Sequence, residues 1–354
     1  MQYHDVARKI EKLHIMFENS GVVKGDKIAL CGRNSANWAV AFLATLTYGA
    51  IAVPILHEFM ADQIHNIVNH SDAKLLFVGD VVATQVDATK MPGLEGIIYI
   101  PDYSLVVSRT DKLTYAREHL NEMFGIKYPK YFRKNHVNYY MEQNPDELAM
   151  INYTSGTTGF SKGVMVPYRA LWGNADFAED VLGKKIKPGD SVISILPMAH
   201  MYGLVTEFIY PLCNGTSIYW LGKTPTPSTL MKAFQEVRPY QLITVPLVME
   251  KIFKSKVKPV LDKPMIKILT RIPGINTIIF KKIHDGLINA FGGEVGEFIL
   301  GGAPVNPEIE KWFKKIKLPY TVGYGMTEAT PLLAYAGSSE YVAGSCGKPV
   351  DCAT

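Results

Sequence analysis

Cysteine is scarce in this chain. Cys31, Cys213, Cys346 and Cys352 are the four among 354 residues, and no two form a Cys-x-x-Cys pair. That excludes a disulfide framework or a thiolate metal cluster as the basis of the fold, and a reducing cytoplasm is the simplest setting. An excess of one charge is lacking too. The net charge of +4 is small for this length, so nucleic acid is not an expected partner, although a local basic site for a small polyanion is compatible with it. The opening residues 1–20 (MQYHDVARKIEKLHIMFENS) lack the apolar core of a secretory signal and read as an amphipathic helix of mixed charge. Ala39–Leu56 approaches membrane-spanning length, but Gly49 is placed to end a helix and Pro54 to interrupt a second segment. It reads as a buried helix followed by a buried strand, which leaves membrane contact at most peripheral.

What is present is a folded-protein composition, 47% hydrophobic and 20% charged. Apolar β-rich runs alternate with helical patterns. Strands are expected at residues 27–31, 74–78, 97–100, 148–153, 191–196, 217–221, 241–245, 297–300 and 320–322. Helices are expected at 37–48, 61–69, 168–182, 229–237, 247–256 and 307–316, the last with Asn306 as N-cap and Pro307 in first position. Such alternation predicts an α/β fold of two stacked, mostly parallel sheets flanked by helices, with approximate subdomains 1–145 and 146–354. The polar and aromatic stretch 102–144 reads as an irregular connection. The lysine- and isoleucine-rich stretch 254–290 reads as helices laid outside the sheet.

The strongest local signal is the run Tyr153 to Val164 (YTSGTTGFSKGV), which follows an apolar strand. Its glycines, Gly156, Gly159 and Gly163, allow tight turning and close approach of the backbone to a ligand. Thr154, Ser155, Thr157 and Thr158 supply hydroxyls, the loop N–H groups form a concave anion site, and Lys162 adds a positive charge at the edge. Together these suit a triphosphate. The Walker pattern G-x-x-x-x-G-K-[ST] is absent, because Lys162 is followed by Gly163.

This segment resembles the signature of the adenylate-forming superfamily, T-S-G-T-T-G-x-P-K-G-V, with Ser161 in place of the proline. Three further segments fall in that family's order. The first is Leu196-Pro197-Met198-Ala199-His200-Met201-Tyr202-Gly203, where the resemblance implies that His200 lies beside the acyl site and orients the substrate carboxylate. The second is Gly301-Gly302-Ala303-Pro304, whose backbone is implied to lie against adenine. The third is Gly323-Tyr324-Gly325-Met326-Thr327-Glu328. Here Tyr324 offers a face for adenine, Gly325 and Met326 are implied to bind the nucleotide with it, Thr327 offers a hydroxyl to phosphate, and Glu328, with Thr158, would hold magnesium. Val22–Leu30 and Gly344–Pro349 are softer matches at either end.

The resemblance is closest to the large N-terminal domain of long-chain fatty-acid CoA ligases, and it implies ATP and magnesium as cofactors and coenzyme A as co-substrate. It implies catalytic roles for Lys162, His200, Thr327 and Glu328, and a small-molecule carboxylic acid as substrate. Amino-acid-activating relatives carry an aspartate in the segment around Met201–Tyr202 to pair with the substrate amino group; this sequence has none there, so the resemblance implies a substrate other than an amino acid. Val245, Met249 and Leu332 are candidates for an acyl tunnel and equally for ordinary core. The resemblance also implies that a full family member continues beyond Thr354 into a small C-terminal domain with a catalytic lysine, so a fragment with poor activity of its own is expected. A homodimer, a module loading a carrier protein and a non-catalytic nucleotide-binding relative stay open as alternatives.

Overall fold

The computed structural model describes residues 1–154, 162–182, 186–223 and 225–351, with the side chain of residue 182 left aside. The chain divides into two compact units. One comprises Met1–Leu171 with Pro197–His200, the other Trp172–Leu196 with Met201–Thr354.

The first unit is built on a seven-stranded sheet of β1 (Lys27–Cys31), β2 (Ile51–Ile55), β3 (Ala73–Val78), β4 (Gly96–Tyr99), β5 (Leu105–Ser108), β6 (Leu148–Thr154) and β7 (Lys162–Pro167). Its order is β5-β4-β3-β1-β2-β6-β7. The inner pairings are parallel, and β5 and β7 close the edges antiparallel. Strands β1, β2 and β3 are almost wholly buried, as near-continuous apolar runs should be when both faces are covered. Ala29, Cys31, Val53, Ile55, Leu76 and Val78 pack with Ile64, Ile67 and Val68 of the helix Ala61–His70. The alternate residue Phe77 points the other way and meets Phe17 of the helix Tyr3–Ser20 edge to face at 6.3 Å.

The apolar run 39–56 divides as the sequence predicts, into the helix Ala36–Tyr48 and strand β2. Gly49 ends the helix at φ 85°, a left-handed conformation in which glycine has no Cβ to strain. Pro54, expected to interrupt the second segment, lies inside β2. Its register with β1 runs through the Leu30–Pro54 pair, whereas its pairing with β6 is confined to Ala52 and Met150, so the residue without an N–H sits outside that second ladder.

Stretch 102–144 is not an irregular connection. It contains β5 and the helices Asp111–Glu118 and Leu120–Lys127. Its aromatic residues build their own cluster. Phe124 lies 5.1 Å from Tyr128 and 5.4 Å from Phe132, Tyr128 stacks on His136 at 5.6 Å, and the Tyr128 hydroxyl donates to Glu11 at 2.7 Å. Aromatic packing holds here what hydrophobic periodicity does not announce.

The second unit carries a parallel sheet of β8 (Ser191–Ser194), β9 (Ser217–Trp220), β10 (Gln241–Thr244), β11 (Glu297–Leu300) and β12 (Tyr320–Val322), ordered β12-β11-β10-β8-β9. A smaller antiparallel sheet follows, made of β13 (Tyr324–Gly325), β14 (Leu332–Tyr335) and β15 (Lys348–Pro349). The helix Pro307–Lys315 starts as expected, with the Asn306 side chain accepting from the N–H of Glu308 at 2.9 Å. Its Ile309 and Phe313 join Phe234, Phe291 and Phe298 in the core. Residues 258–290 are helical, in the segments Lys258–Leu261, Pro264–Leu269 and Ile275–Ala290. Among the described residues no helix is long and apolar enough to cross a membrane.

Candidate nucleotide site

The glycine- and hydroxyl-rich loop springs from the β6–β7 hairpin. Ser155, Gly156, Thr157, Thr158 and Gly159 lie outside the described residues, but the base of the loop is defined. Thr154 and Lys162 are register partners, and Tyr153 pairs with Gly163 one step further in. The loop is therefore closed at its foot by a threonine and an exposed lysine. Gly163 is required by packing, since a Cβ there would lie 2.8 Å from Ile151 and 3.2 Å from the ring of Tyr153. Tyr153 is in turn fixed by its hydroxyl, 2.7 Å from Nδ1 of His70. The strand entering the loop is thus held in place at Tyr153.

The His200 segment belongs to the same unit. Asn152, buried in β6 two residues before Thr154, donates from Nδ2 to the carbonyl of Ala199 at 2.9 Å. The N–H of Met198 donates to Oδ1 of Asn34 at 2.8 Å, and that of His200 to Pro197 at 3.0 Å. Asn152, which sequence reasoning missed, therefore ties His200 to the strand that carries the loop. A polar residue in an otherwise apolar strand was the signal available. The His200 side chain keeps solvent contact, yet desolvation by the surrounding protein holds its pKa below the ordinary histidine value. Its imidazole is neutral at pH 7 and can both donate and accept a hydrogen bond.

In the second unit two of the expected motifs emerge side by side. Strands β10, β11 and β12 run parallel, with Leu300 opposite both Thr244 and Val322. Gly301 donates its N–H to Thr244 at 3.2 Å, and Gly323 to Leu300 at 2.8 Å. The turns Gly301–Pro304 and Gly323–Glu328 therefore leave the carboxyl ends of neighbouring parallel strands, where open α/β sheets bind ligands. Gly302, Ala303, Pro304, Gly325 and Glu328 are exposed there, and Tyr324 and Met326 are 51% and 45% exposed. Large side chains left open at a strand end provide a face on which a planar base can stack.

Both turns are shaped by steric necessity. A Cβ on Gly301 would fall 2.9 Å from the Tyr202 ring, and one on Gly325 would fall 2.0 Å from the carbonyl oxygen of Pro331. The N–H of Met326 donates to that oxygen at 2.8 Å, and Asn174 braces the same turn by accepting from Leu332 at 3.1 Å. Thr327 is buried, and Glu328 stands out from the short helical turn Thr327–Ala329. A single exposed carboxylate with a neighbouring hydroxyl suits magnesium, which keeps most of its shell as water and substrate phosphate. Of the tunnel candidates, Met249 is wholly buried in the core, while Val245 and Leu332 are half-buried near the strand ends.

Glu207 is a second residue that sequence reasoning missed. It is fully buried, and its Oε2 accepts from the N–H groups of Ile195 and Leu196 at 2.9 and 2.8 Å, just before the Pro197–His200 segment. Desolvation pushes its pKa well above the usual carboxyl value, against the lowering effect of those hydrogen bonds. Nothing in the local sequence VTEFI separates this glutamate from a solvated one.

The AMP-binding enzyme family matches residues 1–354, and the chain belongs to it. The chain is 25% identical over 92% of its length to long-chain-fatty-acid–CoA ligase 5 of Rattus norvegicus, covering 49% of that protein. It is 24% identical over 92% of its length to long chain acyl-CoA synthetase 3 of Arabidopsis thaliana, covering 51%. It thus spans about half the length of these curated relatives. In fold it is similar to the inhibitor-bound N-terminal domain of FACL13 from Mycobacterium tuberculosis, with a TM-score of 0.73, 20% identity and coverage of 99% of this chain and 76% of that one.

Proposed function

We propose that this chain holds the ATP and acyl sites of an AMP-forming ligase that activates a fatty acid of medium or long chain. The observation that carries the reading is the pairing of the Gly301–Pro304 and Gly323–Glu328 turns at the ends of adjacent parallel strands, with Tyr324 open to solvent. The fatty-acid preference rests on the names of the relatives and on the lack of an aspartate in the segment around Met201–Tyr202.

In the first step a carboxylate oxygen attacks the α-phosphorus of ATP. The new O–P bond forms as the bond to the bridging oxygen breaks, and pyrophosphate leaves with that electron pair. The barrier comes from bringing two anions together and from charge developing on the transferred group. Lys162 and the loop N–H groups would take up charge on the phosphates, Thr327 would donate to a phosphate oxygen, and neutral His200 would orient the carboxylate without a competing full charge. Glu328, with Thr158, would hold magnesium, which supplies charge neutralisation on the phosphates. In the second step the thiolate of coenzyme A attacks the acyl carbon, and AMP leaves as the C–O bond breaks.

Exchange of labelled pyrophosphate into ATP, measured with a panel of acids, tests the reading. Exchange that depends on a fatty acid is expected. Exchange without any acid, or best with amino acids, would remove the fatty-acid ligase assignment.

A further inference from the structure

Residues 251–285 of the second unit concentrate positive charge. They hold nine Lys and Arg against two Asp, a net +7, where the whole chain carries only +4. All nine cations are exposed. Lys254 and Lys267 pair with Glu250 and Asp262 at 3.8 and 3.1 Å, and the other seven have no ion pair among the described residues. Set among these cations are large apolar side chains that the core does not use. Met265, Ile268, Ile272, Ile275 and Ile278 are between 38% and 68% exposed. The inner side of the same helices is already satisfied, because Ile266, Phe280, Ile283 and Leu287 pack onto the main cluster of this unit.

An outward row of isoleucines is costly to leave in water, and one interleaved with lysines has two binding chemistries at once. A nucleic acid would use the charge and leave the isoleucines wet. An anionic bilayer surface uses both, since short helices can lie in its plane with apolar tips below the headgroups and Lys and Arg reaching the phosphates. We propose that the face formed by residues 256–282 is a docking surface for anionic phospholipid bilayers, with Ile268, Ile272, Ile275 and Ile278 inserting and Lys258, Lys263, Arg271, Lys281 and Lys282 contacting headgroups. This surface owes nothing to the ligase reading and stands whether or not that reading holds.

The test is co-sedimentation of the whole chain with vesicles of phosphatidylcholine alone and of phosphatidylcholine mixed with phosphatidylserine. Binding to the mixed vesicles and little to the neutral ones is expected. Substituting Lys263, Lys281 and Lys282 by Gln should lower the partition coefficient by about tenfold or more, because each such cation near the surface contributes several-fold. Ile268→Asn, Ile272→Asn and Ile278→Asn together should lower it comparably at unchanged charge. These side chains are exposed, so circular dichroism and melting should be unchanged, and Ile278→Asn alone supplies the same readout should the triple variant misfold. Gln at Lys90, Lys112 and Lys130 in the first unit should have no effect. Failure to bind mixed vesicles overturns the proposal, as does equal loss from the first-unit lysines. Binding that ignores the isoleucine changes and is matched by heparin or RNA would mark a general polyanion site and overturn it equally.

Discussion

Oε2 of Glu207 and the N–H of Leu196 lie 2.8 Å apart in a fully buried setting, and the same oxygen also accepts from Ile195. One carboxyl group thus satisfies two backbone donors where β8 gives way to the segment bearing His200. Replacing Glu207 by Leu orphans both donors and should cost about 2–4 kcal/mol in denaturant unfolding. Glu207→Gln keeps an acceptor in place and should lose much less. The pH dependence has a fixed sign. The folded-state pKa is raised, so between the usual carboxyl value and the folded value the native state holds the extra proton, and stability falls as pH rises through that window. The Gln variant should therefore gain on the wild type as pH increases above about 5. A difference that is flat or shrinks with pH would show that Glu207 is not the buried acid described.

Gly323 and Gly325 flank Tyr324 but answer to different constraints. A Cβ on Gly323 would meet only ordinary contacts, the nearest at 3.5 Å, whereas one on Gly325 would collide with the carbonyl of Pro331. Gly325→Ala should force the 326–331 turn to move, displacing Glu328, and weaken Mg·ATP binding by about tenfold or more, which is about 1.4 kcal/mol. Gly323→Ala should bind within about twofold of wild type on the same scale. Calorimetric titration of both variants decides it, and equal affinities would separate this turn from the nucleotide site.

The proposed function requires Lys162 and Glu328 to serve one magnesium-bound polyphosphate. Replacing either with Ala should weaken Mg·ATP by about tenfold or more, the scale of a lost charge-assisted contact. Lys256→Ala, an exposed lysine among the basic helices, should leave the affinity unchanged. If all three variants bind alike, the assignment fails. If only one of the pair matters, the two residues do not serve one ligand.

Much of this architecture is legible in the residues, for reasons that can be named. Strands β1, β3, β10 and β11 each carry a short apolar stretch, and almost all of their residues are buried, which is what makes them legible. Gly49 and Asn306 announce the helix ends they form. Antiparallel β7 is hidden behind its loop, because Lys162 and Gly163 look like loop residues until Gly163 is seen under the ring of Tyr153. Strand β5 is hidden too, since a short edge strand needs no strong apolar pattern. Of the site, the motif residues are visible in the sequence, whereas their supports are not. Asn152, Asn174 and Glu207 act through hydrogen bonds to backbone groups outside their own elements, a relationship that no local pattern encodes.

His14 gives the first unit a pH response opposite to that of Glu207. Its Nε2 is 3.1 Å from the carbonyl of Ala44, which can only accept, so this nitrogen carries a hydrogen. Burial is the main cause that lowers its pKa to about 4 from the usual 6.5. On acidification the unfolded chain takes up a proton at this histidine before the folded one can, so stability is full above pH 6.5 and drains away as pH falls towards 4. A shift of this size corresponds to about 3 kcal/mol. His14→Gln, which can still donate to Ala44 but does not titrate, should flatten the loss between those pH values while sacrificing some packing at neutral pH. Urea unfolding across the range, followed by exchange of amides in the helix Tyr3–Ser20, measures it. Parallel curves for wild type and variant would show that acid lability in this unit arises from groups other than His14.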